Sequence, residues 1–187
     1  MLYLNDHLLD FDLDEALAQL SSQRREQALR FKYEMGQRTC AAAYLLLCEA
    51  LRKEYDIHEL PVFGYGEHGK PYIIGHEDIH FNLSHCHQAA ICYVSDHPVG
   101  VDVETVRPFK RDLATYTMND SELQQIYAAD NPALEFIRLW TMKEALLKLT
   151  GEGINNHLKD VLNRHDVTWE TIVSPDHTYA YTICQHI

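Results

Sequence analysis

The 187-residue chain lacks three features that mark common protein classes: long apolar runs, paired cysteines and an excess of basic residues. None of its apolar runs approaches the roughly 18 residues that a membrane-spanning helix requires. Its five cysteines include no CxxC pair, which argues against a disulfide framework and indicates a reduced protein. The chain starts with acidic residues, whereas a secretory signal starts with basic ones. We therefore expect a cytoplasmic protein with no membrane partner.

Basic residues are scarce, since 16 Lys and Arg oppose 28 Asp and Glu for a net charge of −12. A nucleic-acid-binding protein needs a basic surface, so we expect no nucleic-acid partner. Residues 21–38 are a local exception, with five basic residues against two acidic ones. This segment could contact phosphate, although a solvated helix face has the same composition.

Several catalytic and metal-binding motifs are also missing. The sequence contains no GxxxxGK[ST] phosphate loop, no GxSxG nucleophile elbow and no HExxH pair among its 12 histidines. Ser84 and His85 are adjacent on a predicted strand, where neighbouring side chains point to opposite faces, so a Ser/His hydrolase is disfavoured. His85, Cys86 and His87 do not have the spacing of a zinc site.

The hydrophobic pattern predicts an α+β fold. Apolar residues at helical spacing predict helices, and short apolar or alternating runs bounded by turn residues predict strands. The predicted helices span residues 13–30, 37–55, 120–129 and 132–150, and the main predicted strands span 79–84, 89–95, 99–104, 167–173 and 178–184. The last helix has the clearest bounds, with Asn131 as N-cap, Pro132 in the first turn and Gly151 after the end. A seam near residue 100 suggests two small halves packed together.

Four charged residues form the most informative pattern in the sequence. Asp102 and Glu104 alternate on one strand and therefore project from the same face. Glu144 and Lys148 lie four residues apart on the last helix and also share a face. If the strand packs on the helix, three carboxylates meet one ammonium, a set that suits a hard divalent cation and phosphate chemistry. The same residues could instead be solvated acids on an edge strand and an ordinary helix ion pair.

Four sequence blocks, taken in order, resemble those of the surfactin-type 4'-phosphopantetheinyl transferases. The blocks are GKP at 69–71, FNLSH at 81–85, GVDVE at 100–104 and WTMKEALLK at 140–148. Their order and spacing are more specific than any single block. The resemblance is weaker over residues 24–38, where the alignment needs a gap and Gln27 replaces a basic residue of the family.

The resemblance implies an enzyme that moves the 4'-phosphopantetheine arm of coenzyme A onto a serine of an acyl or peptidyl carrier protein, releasing 3',5'-ADP. It also implies the family fold, in which two similar α/β halves are related by pseudo-twofold symmetry in one monomeric chain. Residues 1–100 would then form the half that contacts the nucleotide. Residues 101–187 would carry the metal-binding strand and the catalytic helix.

The resemblance also assigns roles to individual residues. Asp102, Glu104 and Glu144 correspond to ligands of Mg²⁺, with Mn²⁺ as an alternative. Glu144 is also the candidate general base, and Lys148 would stabilise charge on the phosphate. Glu122 corresponds to an acidic position near the metal with no assigned role. The positions that correspond to coenzyme A contacts are Arg24, Arg38, Lys70, Pro71, Ser84, His85 and Lys148.

Two other functions fit the same residues: a catalytically silent module that holds coenzyme A or a carrier protein, and another Mg²⁺-dependent phosphotransferase. The intact set of Asp102, Glu104, Glu144 and Lys148 favours an active enzyme. Because carrier proteins are usually acidic as well, binding to this acidic chain would need an apolar patch. We predict that the segment Phe109–Met118 is that docking surface.

Overall fold

The computed structural model describes residues 1–153 and 158–187 and shows a mixed fold of helices and strands, as predicted. The elements of the first part of the chain are β1 (Leu2–Asn5), α1 (Leu13–Ala18), α2 (Ser22–Leu29), α3 (Glu34–Tyr55), β2 (Phe63–Tyr65), β3 (Pro71–Ile73), β4 (His80–His85) and β5 (Ala90–Ser95). Those that follow are β6 (Val99–Thr105), α4 (Arg111–Thr117), α5 (Asp120–Ala128), α6 (Pro132–Thr150), β7 (Val167–Val173) and β8 (Tyr179–His186).

Helix α3 is the central element of the first part. Several of its apolar residues, including Tyr44, Leu47 and Leu51, are fully buried, and the helix packs against an antiparallel sheet with the strand order β1-β5-β4. The helix ends at Asp56, which adopts the left-handed conformation with φ 56°. The short hairpin β2-β3 forms a separate sheet and carries the GKP block at its turn.

Helix α6 packs in the same way against the second sheet, which has the strand order β6-β8-β7. Asn131 caps the helix by accepting a hydrogen bond from the Leu134 amide at 3.1 Å, and Gly151 ends it with φ 76°, as the sequence predicted. Gly100 lets β6 approach this helix closely, because a Cβ atom there would lie 1.9 Å from the Ala145 carbonyl oxygen. This close approach places the acidic strand beside Glu144 and Lys148.

Strands β4 and β6 are edge strands of their respective sheets and face each other across the seam. Side chains of β4 accept hydrogen bonds from main-chain amides of β6. The Val101 amide donates to Asn82 Oδ1 at 2.9 Å, and the Val103 amide donates to Ser84 Oγ at 3.2 Å. The FNLSH block thus joins the two sheets through side chains rather than through a main-chain ladder.

The structure differs from the predicted elements in three places. The single helix predicted over residues 13–30 is broken, because the Ser21 hydroxyl caps a new helix by accepting from the Arg24 amide at 3.3 Å. Strand β1 was not predicted, since a four-residue run at the chain start gives almost no periodicity. Helix α4 was also missed. Among the described residues, every helix is too short or too polar to span a lipid bilayer.

Candidate active site

A cavity of about 400 Å³ opens where β4, α2 and the end of α6 meet the GKP turn. Cationic and titratable side chains converge on its wall, namely those of Arg24, Lys70, His85, Glu144 and Lys148. Pro71, Asn82 and Leu147 complete the part of the wall closest to the seam. A cavity lined by three basic side chains and one carboxylate suits an anionic ligand that also carries a metal ion.

Asp102 lies beside this cavity on β6 and is 4% exposed. Its Oδ1 atom accepts hydrogen bonds from Ser84 Oγ at 2.9 Å and from Lys148 Nζ at 2.6 Å. Lys148 Nζ also donates to Ser84 Oγ at 3.0 Å. The Oδ2 atom of Asp102 is buried and has no hydrogen-bond partner among the described residues. Half of this carboxylate is therefore available to a cation.

The ammonium of Lys148 pairs with Asp102 rather than with Glu144, its expected partner one helical turn away. The negative charge of Glu144 is consequently less well balanced by the positive charge of Lys148. Burial is the main reason that its pKa is raised to about 7, and repulsion from Asp102 adds to this. Burial and the same aspartate also raise the pKa of Glu104. The three carboxylates therefore influence one another electrostatically.

His85, at the end of β4, lines the cavity as a neutral imidazole. Burial lowers its pKa to about 4, and the nearby charges of Lys148 and Arg24 contribute. The ring of Phe31 contacts it edge-on, with centroids 6.0 Å apart. With the cavity empty, this histidine is neutral at pH 7 and can donate a hydrogen bond from one ring nitrogen to a phosphate.

Arg24 reaches the cavity from α2, with its guanidinium over the Tyr44 ring at 5.4 Å and the Phe63 ring at 5.8 Å. One of its nitrogens donates to Gln27 Oε1 at 2.8 Å. The two rings are nearly perpendicular to each other, and their cation–π contacts help to hold the guanidinium at the cavity wall, where it can bind an anion. Gln27, which the alignment marked as a departure from the family, thus orients the neighbouring arginine.

Residues 98–185 match the 4'-phosphopantetheinyl transferase superfamily. The chain is 31% identical over 156 residues to a 4'-phosphopantetheinyl transferase of Bacillus subtilis, a match that covers 82% of the chain and 70% of the relative. It is 31% identical over 162 residues to the 4'-phosphopantetheinyl transferase psf-1 of Bacillus pumilus, with 84% and 70% covered. The chain belongs to the 4'-phosphopantetheinyl transferase superfamily. A match to the 4'-phosphopantetheinyl transferase Sfp of Bacillus subtilis strain 168 is 26% identical over 157 residues, with 82% and 70% covered.

The acidic residues of this superfamily member suit a hard cation by their chemistry. Asp102 has a buried carboxylate oxygen without a hydrogen-bond partner, and both glutamates have raised pKa values. A divalent cation would relieve the repulsion among these groups. In the described part of the chain, no three carboxylate, imidazole or thiol groups are already arranged as a metal centre. The carboxylates fit the cation by charge and donor type.

Ser84, Arg38 and Lys70, which were expected to contact coenzyme A, have partners within the protein. Ser84 is buried, and its hydroxyl donates to Asp102 while it accepts from Lys148 and Val103. One donor and two acceptor sites are all that a hydroxyl has, so these bonds use its full capacity. Ser84 therefore orients the acidic strand rather than offering a free hydroxyl to the cavity.

Arg38 is not among the residues that line the cavity. Its guanidinium donates to the Phe11 carbonyl and to Glu34 Oε1, both at 2.7 Å, and it lies over the Phe11 ring. The basic residues of segment 21–38 therefore do not all serve one site. Arg24 lines the cavity, whereas Arg38 connects α3 to the loop before α1.

Lys70 lines the cavity, but its ammonium is hydrogen-bonded to main-chain carbonyl groups of the protein. Its Nζ atom donates to the Leu149 carbonyl at 2.9 Å and to the Val99 carbonyl at 3.3 Å, and burial lowers its pKa. The GKP turn is thereby attached to the C-terminal end of α6, where a cation is favourable. This attachment brings Pro71 to the cavity wall.

Lys143 is a buried charge that sequence analysis missed. Its ammonium, 0% exposed, lies 2.8 Å from Glu122 Oε2 and donates to the Leu158 carbonyl at 2.6 Å. Glu122 also accepts from the Asn119 amide at 2.9 Å, forming a capping box for α5. Glu122, to which the resemblance assigned no role, therefore pairs with Lys143 and holds α5 against α6.

Proposed function

We propose that this chain transfers the 4'-phosphopantetheine arm of coenzyme A to a serine hydroxyl of an acyl or peptidyl carrier protein. The observation that carries the proposal is the site itself. Three acidic residues and Lys148 lie beside a cavity lined by Arg24, Lys70 and His85, in a chain of this superfamily. Coenzyme A supplies the anionic groups that such a cavity suits.

Glu144 is the proposed general base. It lines the cavity, where its carboxylate can accept the proton of an incoming hydroxyl. Its pKa is raised to about 7 in the metal-free protein, and a bound cation would lower it, so the proposed role rests on its position. The serine oxygen forms a bond to the β-phosphorus of coenzyme A as the hydroxyl proton passes to Glu144. The bond from that phosphorus to the bridging oxygen breaks, and 3',5'-ADP leaves with the electron pair.

Lys148 is proposed to bind the phosphate oxygens on which negative charge grows. Its ammonium is held beside Asp102 and Ser84, so it is oriented before the ligand enters. Asp102, Glu104 and Glu144 would hold Mg²⁺, with Mn²⁺ as the alternative, and the metal would neutralise pyrophosphate charge. Arg24 and His85 would bind further phosphate oxygens, and Lys70 with Pro71 would lie along the nucleotide. The predicted contact of Arg38 would require it to leave its present partners.

The wider architecture supports further proposals. Each three-stranded sheet packs on one long helix, α3 or α6, which is consistent with two similar halves, residues 1–100 and 101–187, in a monomeric chain. The five cysteines are free thiols, which suits a reducing cytoplasm. The proposed carrier-docking surface is Phe109–Met118, where Leu113 and Tyr116 of α4 are exposed.

Intact-mass measurement tests the proposal directly. The purified chain is incubated with coenzyme A, Mg²⁺ and several apo carrier proteins, and each carrier is expected to gain one phosphopantetheine. A carrier whose acceptor serine is replaced by alanine is the matched control. Binding of coenzyme A without any mass gain would favour the silent module. Release of another phosphorylated product would favour a different phosphotransferase.

A further inference from the structure

Asn82 is a buried polar residue of β4 for which the family resemblance gives no role. It is 7% exposed, and its side chain crosses from β4 to the facing edge of β6. There its Oδ1 atom accepts a hydrogen bond from the Val101 amide at 2.9 Å. This amide precedes Asp102, so Asn82 is bonded directly to the strand that carries the acidic residues.

The hydrogen bond determines which way the amide group of Asn82 is turned. A main-chain N–H can only donate, so the oxygen of Asn82 must face Val101 and the Nδ2 atom must face away. Asn82 also lines the cavity. In the described ranges the Nδ2 atom has no hydrogen-bond partner, and it is not among the buried polar atoms sealed from solvent. The unpartnered Nδ2 donor thus belongs to a residue of the cavity wall.

The neighbours of this donor indicate what it binds. Ser84, two residues further along the same face of β4, contacts Lys148, and both Arg24 and Lys70 line the same cavity. An amide N–H among three cations is suited to an anionic oxygen, and phosphate is the group that the proposed ligand offers. We propose that Asn82 Nδ2 donates a hydrogen bond to a phosphate oxygen of coenzyme A while Oδ1 remains on Val101. This inference rests on the proposed function and adds a ligand-binding residue to it.

The variant Asn82→Asp tests the oxygen and the nitrogen of the Asn82 amide separately. The carboxylate keeps an acceptor for the Val101 amide, but it replaces the donor with a negative charge facing phosphate. We expect the Kd for 3',5'-ADP, measured by calorimetry without metal, to rise roughly 10- to 100-fold. The Tm of the free protein should stay close to that of the wild type. Pantetheine, which has no phosphate, should bind equally to both proteins.

Asn131→Asp is the matched control, because Asn131 also uses Oδ1 to accept from a main-chain amide but lies outside the cavity. It changes the net charge by the same amount and should leave the Kd for 3',5'-ADP unchanged. Asn82→Ala removes both atoms and leaves the buried Val101 amide without its acceptor. This variant should therefore bind weakly and also melt about 2–6 °C lower.

The outcomes distinguish this inference from the proposed function. If Asn82→Asp binds 3',5'-ADP as tightly as the wild type, while the wild type modifies a carrier, only the role of Asn82 is overturned. Equal weakening by Asn131→Asp would show a general charge effect and would also overturn it. If the wild type binds neither coenzyme A nor 3',5'-ADP, both proposals fail together.

Discussion

Glu144 and Lys148 share one face of a helix, yet they are not each other's main partners. Lys148 crosses the seam to Asp102, and Glu144 remains a buried carboxyl with a raised pKa. A residue in this state destabilises the folded protein when it is ionised, which is a cost that active sites commonly carry. The sequence spacing indicated that the two side chains are close. The preference of Lys148 for Asp102 over Glu144, however, depends on how close strand β6 lies to helix α6.

Replacing Glu144 by glutamine tests this interpretation. Transfer to the carrier should fall about 100- to 10,000-fold because the general base is lost. The folded wild type binds the Glu144 proton more tightly than the unfolded chain does, so this group lowers stability as pH rises through about 7. With chelator present, the Tm advantage of Glu144→Gln over the wild type should therefore grow between pH 5 and pH 8. A constant difference across that range would contradict the raised pKa.

The predictability of the site varies from residue to residue. Asp102, Glu104, Glu144 and Lys148 could be proposed as site residues from the sequence, because their spacing matches the period of a strand and of a helix. Local spacing says nothing about which distant group a side chain contacts. The positions of residues such as Arg38, which is held by the Phe11 carbonyl, therefore required the structure.

Helix α6 and strand β6 form the element pair on which the site depends. The bounds of α6 were predicted correctly because Asn131, Pro132 and Gly151 are strong local signals. The break between α1 and α2 was not predicted, since Ser21 can lie inside a helix or cap one and only tertiary packing decides. Gly100 is needed at the contact between β6 and α6, where no side chain fits.

Gly100→Ala should force β6 away from α6. We expect the free energy of unfolding in urea to fall by about 3 kcal/mol, since the added methyl group would meet main-chain atoms that cannot move aside easily. The control is Gly66→Ala, because the nearest atom to a Cβ there is 3.7 Å away. Equal stability of the Gly100 variant and the control would show that the contact is not tight.

The buried pair between Glu122 and Lys143 joins helices α5 and α6. Lys143→Met should destabilise the protein by about 3–5 kcal/mol, because it leaves the Glu122 carboxylate buried without its cation. Adding Glu122→Gln should recover much of this loss, since glutamine is neutral and can still accept from the Asn119 amide. Urea unfolding of the two single variants and the double variant measures the coupling. Additive effects would mean that the two charges do not depend on each other.

At the scale of the whole molecule, the net charge of −12 has to be reconciled with the acidic carrier protein that the proposed function implies. The exposed apolar side chains of α4 offer contact without charge attraction. The mixed fold could be predicted from hydrophobic periodicity. The segment Phe109–Met118 was proposed as a docking surface from the sequence, but its helix gave no recognisable pattern there, and the exposure of Leu113 and Tyr116 required the structure.

Tyr116→Ala tests the proposed docking surface, as this side chain is 63% exposed on α4. The KM for the carrier protein should rise several-fold, because an aromatic contact is lost, while the KM for coenzyme A stays the same. Tyr33→Ala is the control, since Tyr33 is 72% exposed but lies on the segment between α2 and α3. If the carrier KM rises for Tyr33→Ala alone, the carrier docks near the segment between α2 and α3 rather than on α4.

The side-chain bridges between β4 and β6 also affect how the protein behaves in concentrated solution. An edge strand with unpaired amides can recruit a strand from another molecule and start aggregation. On β6, the Val101 and Val103 amides that face β4 already donate to Asn82 and Ser84. The same two polar residues that hold the site together therefore close this edge to foreign strands.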